Sequence, residues 1–177
     1  AGKKKKVKKG FTLIEMMVVI IIIGILSAFI IMSVIGVRQK ASATRAVSEM
    51  NEIKKIVDMA NAEGCNELNF AAFDDGIKIS CATTGMTKDY TTVKTSPNGI
   101  NYKLQLDGGV NEKWTSTGGG AWTPGTGCSS GCTLTLSSNP IYTFEASGFT
   151  SGTYSCTSLA NGTNSCGCSV SGGCASD

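Results

Sequence analysis

Twenty-two consecutive residues, Met16 to Val37, carry no charge, and most of them are large aliphatics. At the helical rise such a run is about 33 Å long, against a hydrocarbon core of about 30 Å. A stretch this long and this apolar reads as a membrane helix, the one single-segment structure that satisfies its own backbone in lipid. Its flanks set the direction. Lys3, Lys4, Lys5, Lys6, Lys8 and Lys9 precede it, whereas the ten residues after Val37 carry only Arg38, Lys40 and Arg45. That imbalance places the N-terminus in the cytoplasm and residues 38 to 177 outside. Two blander readings compete. Ala41-Ser42-Ala43 has the small-x-small form of a secretory cleavage site, which would leave Thr44 first. The apolar region of such a signal runs only about 7 to 15 residues and meets its site directly, and here Arg38 and Lys40 intervene. An ordinary single-span anchor accounts for the run but not for the six residues in front of it.

Those six are Gly10-Phe11-Thr12-Leu13-Ile14-Glu15, with one carboxylate at the mouth of the span. An acid in mid-membrane costs on the order of 3 kcal/mol, less toward a helix end, and intramembrane charges are usually paired. Glu15 is therefore expected to have a cationic partner. The short Lys-rich leader, the hexapeptide and the long apolar run together resemble the class III signal of type IV pilins and type II secretion pseudopilins, over about the first third of the chain. The resemblance implies cleavage after Gly10 by a membrane-embedded prepilin peptidase and methylation of the new N-terminal residue, Phe11. It also implies that Glu15 neutralises the Phe11 amine of a neighbouring subunit during filament assembly. Gly24, Ser27, Ala28, Ser33 and Gly36 interrupt the aliphatics, and small residues let sister helices approach closely. The family often carries a helix-kinking proline near the place where Met32 stands; its absence here argues against a melted or bent segment, although Gly24 is placed to soften the helix.

From Lys40 to Ala62 the pattern becomes one-sided. Ala43, Ala46, Val47, Met50, Ile53, Val57 and Ala60 recur at three- and four-residue steps, which predicts an amphipathic helix with that stripe against a sheet. Arg45, Glu49, Glu52, Lys54, Lys55 and Asp58 fall on the other positions as a solvated face. No breaker separates this stretch from the span, so one rod of roughly 80 Å is expected from Phe11 to about Glu63, stopped by Gly64. The domain reading is a leader at 1–10, a transmembrane and assembly helix at 11–37, its amphipathic continuation at 38–63 and an extracellular head at 64–177.

The head is rich in Gly, Ser, Thr and Asn. Candidate strands are Ile77 to Cys81, Ile100 to Leu106, Thr133 to Leu136, Ile141 to Phe144 and Thr153 to Cys156. Asp107-Gly108-Gly109 is placed to turn the second of these back into Val110 to Trp114 as a hairpin. Cys65, Cys81, Cys128, Cys132, Cys156, Cys166, Cys168 and Cys174 all lie in this segment and none in the leader or span. An even number confined to the part predicted to be outside argues for disulfides, each worth about 2 to 4 kcal/mol. The chain has no C-x-x-C pair and no histidine, so zinc is the weaker reading. Eight cysteines allow roughly a hundred pairings, so their connectivity stays open. The Cys-rich end also resembles the disulfide-bounded C-terminal region of type IV pilins.

Catalytic chemistry finds little support. Without histidine, Ser-His-Asp and Cys-His arrangements are excluded, and no spacing marks two carboxylates as facing across a cleft. Asp74-Asp75-Gly76 lacks the spaced oxygens of a recognisable calcium loop and reads as a turn. No cofactor and no metal are expected. Once the six leader lysines are gone, ten basic and 13 acidic side chains remain, so nucleic acid is not expected as a general partner. Asn161-Gly162-Thr163 fits a glycosylation acceptor, and Trp114 and Trp122 are candidates either for adhesion or for the core. The expected fold is α+β: a long N-terminal helix packed on a C-terminal antiparallel sheet in a disulfide-rich head. The resemblance implies a non-enzymatic filament subunit of a type IV pilus, working with a prepilin peptidase, an inner-membrane platform protein and an assembly ATPase. It would pass from the inner membrane into a homo-oligomeric helical filament, with adhesion, motility and DNA uptake unresolved. A type II secretion pseudopilin is the alternative, and a singly anchored extracellular binding protein or enzyme the alternative of another class.

Overall fold

The computed structural model describes residues 10–73, 76–83, 85, 87–106, 113–129, 131–136, 140–158 and 164–174. The lysine leader, Asp74-Asp75, the turn at 107–109 and the Asn161-Gly162-Thr163 triplet lie outside the described residues. The chain divides into two compact units, Ala1–Arg38 and Gln39–Asp177. A single helix, α1 (Leu13–Ala62), contributes to both.

In the first unit α1 is apolar on every side and buries none of its most hydrophobic window. In the second it is one-sided, as its spacing predicts. Ala43, Ala46, Met50, Ile53, Val57 and Ala60 are buried, and Ile56 joins them where Val47 stays half-exposed. The helix ends at the expected glycine, with φ of 84° at Gly64. Cys65 N–H donates to the Ala60 carbonyl at 3.0 Å and Gly64 N–H to that of Asn61 at 3.2 Å. These are the two bonds of a Schellman stop, and they need a left-handed residue where Gly64 stands.

Among the described residues ten strands follow: β1 (Glu67–Phe73), β2 (Gly76–Cys81), β3 (Asp89–Lys94), β4 (Asn101–Leu106), β5 (Lys113–Thr117), β6 (Thr123–Pro124), β7 (Cys132–Thr135), β8 (Tyr142–Ser147), β9 (Tyr154–Ser158) and β10 (Asn164–Cys168). They form two antiparallel sheets rather than the one expected, in the orders β3-β2-β1-β7 and β10-β9-β8-β4-β5-β6. The reason lies in the alternation. Phe70, Ile77 and Ile79 from the first sheet and Tyr102, Leu104, Tyr142 and Phe144 from the second are all buried in the same core as Met50 and Ile53. Phe70 meets Phe144 across the sheets, with ring centroids 6.2 Å apart. Two inward faces and one helical stripe bury more apolar surface than a single sheet on a helix would. β4 pairs antiparallel with the strand that follows it, from Asn101↔Thr117 to Gln105↔Lys113, but that strand is Lys113–Thr117 rather than the expected Val110 to Trp114, and the turn between them lies outside the described residues.

Candidate functional site

The N-terminal end of α1 is built by its own sequence. Phe11 is exposed, and Thr12 caps the helix that begins at Leu13. Thr12 N–H and Oγ1–H both donate to Glu15 Oε2, at 2.8 and 2.7 Å, and Glu15 N–H donates back to Thr12 Oγ1 at 3.4 Å. This is the reciprocal capping box that a threonine three residues before a glutamate encodes, and it sets the carboxylate at the positive end of the helix. Both bonds from Thr12 to the carboxylate fall on one oxygen, Oε2. Glu15 is thus held at the mouth of a helix whose next two turns expose only apolar side chains, Ile20 and Ile21 being more than half accessible. Further along, Ser27 Oγ–H donates to the Ile23 carbonyl at 2.7 Å, which satisfies the hydroxyl inside the apolar run. A Cβ added at Gly24 or Gly36 would meet open space, so each leaves a notch in the side of the helix.

Within the second unit one expectation needs correcting. Glu49 is not part of a fully solvated face. Its side chain is only 17% exposed, and it accepts from Arg45 Nε at 2.7 Å and from the Tyr102 hydroxyl at 2.5 Å. Arg45 also donates through Nη2 to the Thr95 carbonyl at 3.0 Å, so one ionic pair ties α1 to β4 and to the segment after β3. Burial first, and then the bond to Glu49, hold the Tyr102 phenol well above its usual range. The Glu49 hydrogen bond is also the main reason that the Arg45 guanidinium is raised. A second tie lies at the helix end. Glu63 accepts from Lys88 Nζ at 2.6 Å and from the Tyr90 hydroxyl at 3.0 Å. Those two bonds, Lys88 the larger, hold its carboxyl below the usual carboxylate range. The boundary position of Glu49, one residue before a buried methionine, was the available signal for the first. Nothing in the spacing marked the second.

All eight cysteines are paired: Cys65 with Cys81, Cys128 with Cys132, Cys156 with Cys166, and Cys168 with Cys174. The first staples the end of α1 to the end of β2, and the third joins residues directly opposite in the β9–β10 ladder. Trp114 and Trp122 belong to the core, at 1% and 8% exposure, so neither offers an adhesive ring. Trp114 Nε1–H points at Cys132 Sγ, 2.9 Å away, and Trp122 Nε1–H donates to the Lys94 carbonyl at 3.1 Å. Among the described residues no three His, Cys, Asp or Glu side chains are grouped as metal ligands.

The comparisons agree with the N-terminal end. The family described as prokaryotic N-terminal methylation motif matches residues 5–31. The chain is 39% identical over 57 residues to the type II secretion system core protein G of Vibrio cholerae, a match covering 32% of this chain and 39% of that protein. To a fimbrial protein of Pseudomonas aeruginosa it is 35% identical over 99 residues, 53% of this chain and 64% of the other. To fimbrial protein Q of Moraxella bovis it is 44% identical over 81 residues, 45% and 52% respectively. The chain thus spans between 39% and 64% of the length of these relatives. No solved structure matches it.

Proposed function

We propose that this chain, whose N-terminal segment belongs to the type IV pilin and type II secretion pseudopilin family, is a structural subunit of a type IV pilus-like filament. Cleavage follows Gly10, Phe11 becomes the methylated N-terminus, and subunits polymerise through α1. The observation that carries the reading is Glu15: a carboxylate fixed by Thr12 at the head of an uncovered apolar helix. In a bilayer such a group is stabilised by a cation at the same depth, and the Phe11 amine of another copy, once freed, supplies one. Extraction from the inner membrane then exchanges lipid contacts for contacts between apolar helices, while the disulfide-bonded head stays in water. The work of cleavage, extraction and polymerisation would fall to a prepilin peptidase, a platform protein and a cytoplasmic ATPase.

Intact-mass analysis of surface material tests this. The expected species begins at methylated Phe11, and the Glu15→Ala variant is expected to reach the membrane yet yield few or no filaments. Mature protein that keeps its lysine tail, or an undiminished filament yield from Glu15→Ala, would overturn the reading, and a start at Thr44 would indicate secretory cleavage. A type II secretion pseudopilin is the second reading, favoured by the similarity to core protein G. Imaging of purified filaments separates a long surface fibre from a short secretion structure.

A further inference from the structure

The chain has two indoles, both in the core, and they spend their N–H groups differently. Trp122 donates to a backbone oxygen, the Lys94 carbonyl, which is the ordinary solution for a buried ring of this kind. Trp114 does not. It lies inward on β5 of the six-stranded sheet, and its Nε1–H donates at 2.9 Å to the Sγ of Cys132, the first residue of β7 in the other sheet. That sulfur is bonded to Cys128, and both cysteines are buried. An indole N–H can only donate and sulfur is a weak acceptor, so this bond adds little to stability. It does hold an electron-rich ring against a disulfide, with a proton already lying between them.

We propose that Trp114 and the Cys128–Cys132 bridge form a photoreducible site, at which ultraviolet absorption by the indole opens the disulfide. An excited indole gives up an electron readily, and a disulfide accepts one into its S–S antibonding orbital. Such transfer falls steeply with distance, and here donor and acceptor touch. As the electron arrives the S–S bond breaks, and the Nε1 proton follows along the hydrogen bond to Cys132 Sγ. One N–H and one S–S bond are lost, and one S–H bond forms. Trp114, oxidised by one electron, is left as a neutral indolyl radical. The disulfide, reduced by that electron, becomes the Cys132 thiol and the Cys128 thiyl radical. No outside reductant or proton donor enters, and the burial of all three residues keeps water from competing for the proton. The local consequence is a looser entry to β7. The bridge closes the turn before this strand, where Gly131 N–H donates to the Cys128 carbonyl at 3.0 Å, and β7 is an edge strand whose ladder partner is β1.

The test irradiates the full chain in detergent micelles at the red edge of the indole band, where tyrosine scarcely absorbs. The protein is then denatured and alkylated with iodoacetamide without reductant. Peptide mapping should find new alkylated thiol confined to the segment that carries Cys128 and Cys132. Trp114→Phe should return the yield to that of protein kept dark, whereas Trp122→Phe should leave it unchanged. Emission gives a second readout, because transfer to the disulfide quenches Trp114: the Trp122→Phe variant should be several-fold dimmer than Trp114→Phe. Should Trp114→Phe fail to fold, adding Cys128→Ala/Cys132→Ala to Trp122→Phe keeps the indole, removes its acceptor and should brighten it several-fold. No new thiol on irradiation, thiol spread evenly over the four bridges, a yield indifferent to Trp114 or equal emission from the two tryptophan variants would each overturn the proposal. The reaction needs only the folded head, so none of these outcomes bears on the filament reading.

Discussion

Tyr102 and Glu49 illustrate how one residue pair can fix the seating of a helix on a sheet. The phenol is 1% exposed and its hydroxyl ends on a carboxylate that is itself mostly covered. Tyr102→Phe removes the donor but leaves Glu49 its bond from Arg45, so a loss of about 1 to 2 kcal/mol is expected rather than the larger cost of a stranded charge. Urea unfolding in detergent, followed by near-UV circular dichroism, measures it. No change beyond a few tenths would show that water replaces the tyrosine without cost. Glu63 gives a pH prediction whose sign follows from its lowered pKa. The folded state binds this proton less readily than the unfolded chain, so the tie to Lys88 and Tyr90 is at full strength above the ordinary carboxylate value and is lost as pH falls through the lower, folded one. Amide exchange at Lys88 to Tyr90 should accelerate selectively under acid, and it should already be fast in Glu63→Gln at neutral pH. Uniform exchange across the head in both cases would refute the local tie.

At the level of elements, α1 was legible almost to the residue because two patterns of different period meet in it without a breaker. The uncharged run marks one part, the stripe from Ala43 to Ala60 the other, and Gly64 the end. Strands with clean alternation, such as β4, were legible for the same reason. Others were not. β1 buries Leu68 and Phe70 but ends in Ala71-Ala72-Phe73 without a period, and among the described side chains of β3 only Val93 is buried. β10 reads Asn-Ser-Cys-Gly-Cys and carries no aliphatic at all. It owes its place to the ladder with β9 and to the Cys156–Cys166 bridge, a partnership that no local pattern announces. The Thr12–Glu15 cap is written in the sequence as a threonine three residues before a glutamate, a local signal that needs no partner in another subunit. The helix stop offers a test at this scale. Alanine at Gly64 meets no steric obstacle, so the whole effect comes from forcing a Cβ into the left-handed region, about 1 to 2 kcal/mol. Thermal unfolding of Gly64→Ala should show that loss, whereas Gly64→Asn, a residue that visits this region more readily, should lose less. Equal losses from the two would mean that the backbone strain is not the cause.

Taken as a whole, the molecule solves two solvation problems with two separate sources of order. The first unit needs lipid or sister helices and has no cross-link, since all eight cysteines lie in the second. The second must order a Gly-, Ser- and Thr-rich chain in water, and its four bridges close loops with separations of 16, 4, 10 and 6 residues. Bridges are worth roughly 2 to 4 kcal/mol each and domains are typically stable by about 5 to 15 kcal/mol, so losing all four removes a large part of the margin even if the contributions do not add fully. The longest loop, closed by Cys65–Cys81 at the end of α1, is expected to matter most. Reduction of proteoliposome-embedded protein should therefore make the head sensitive to protease while the apolar run stays protected by the bilayer, leaving a short membrane-bound fragment. Cys65→Ser/Cys81→Ser should reproduce more of that sensitivity than Cys168→Ser/Cys174→Ser. A reduced head that resists protease as well as the oxidised one would show that the apolar core between the two sheets is sufficient by itself, and the cross-links would then have to be explained by something other than equilibrium stability.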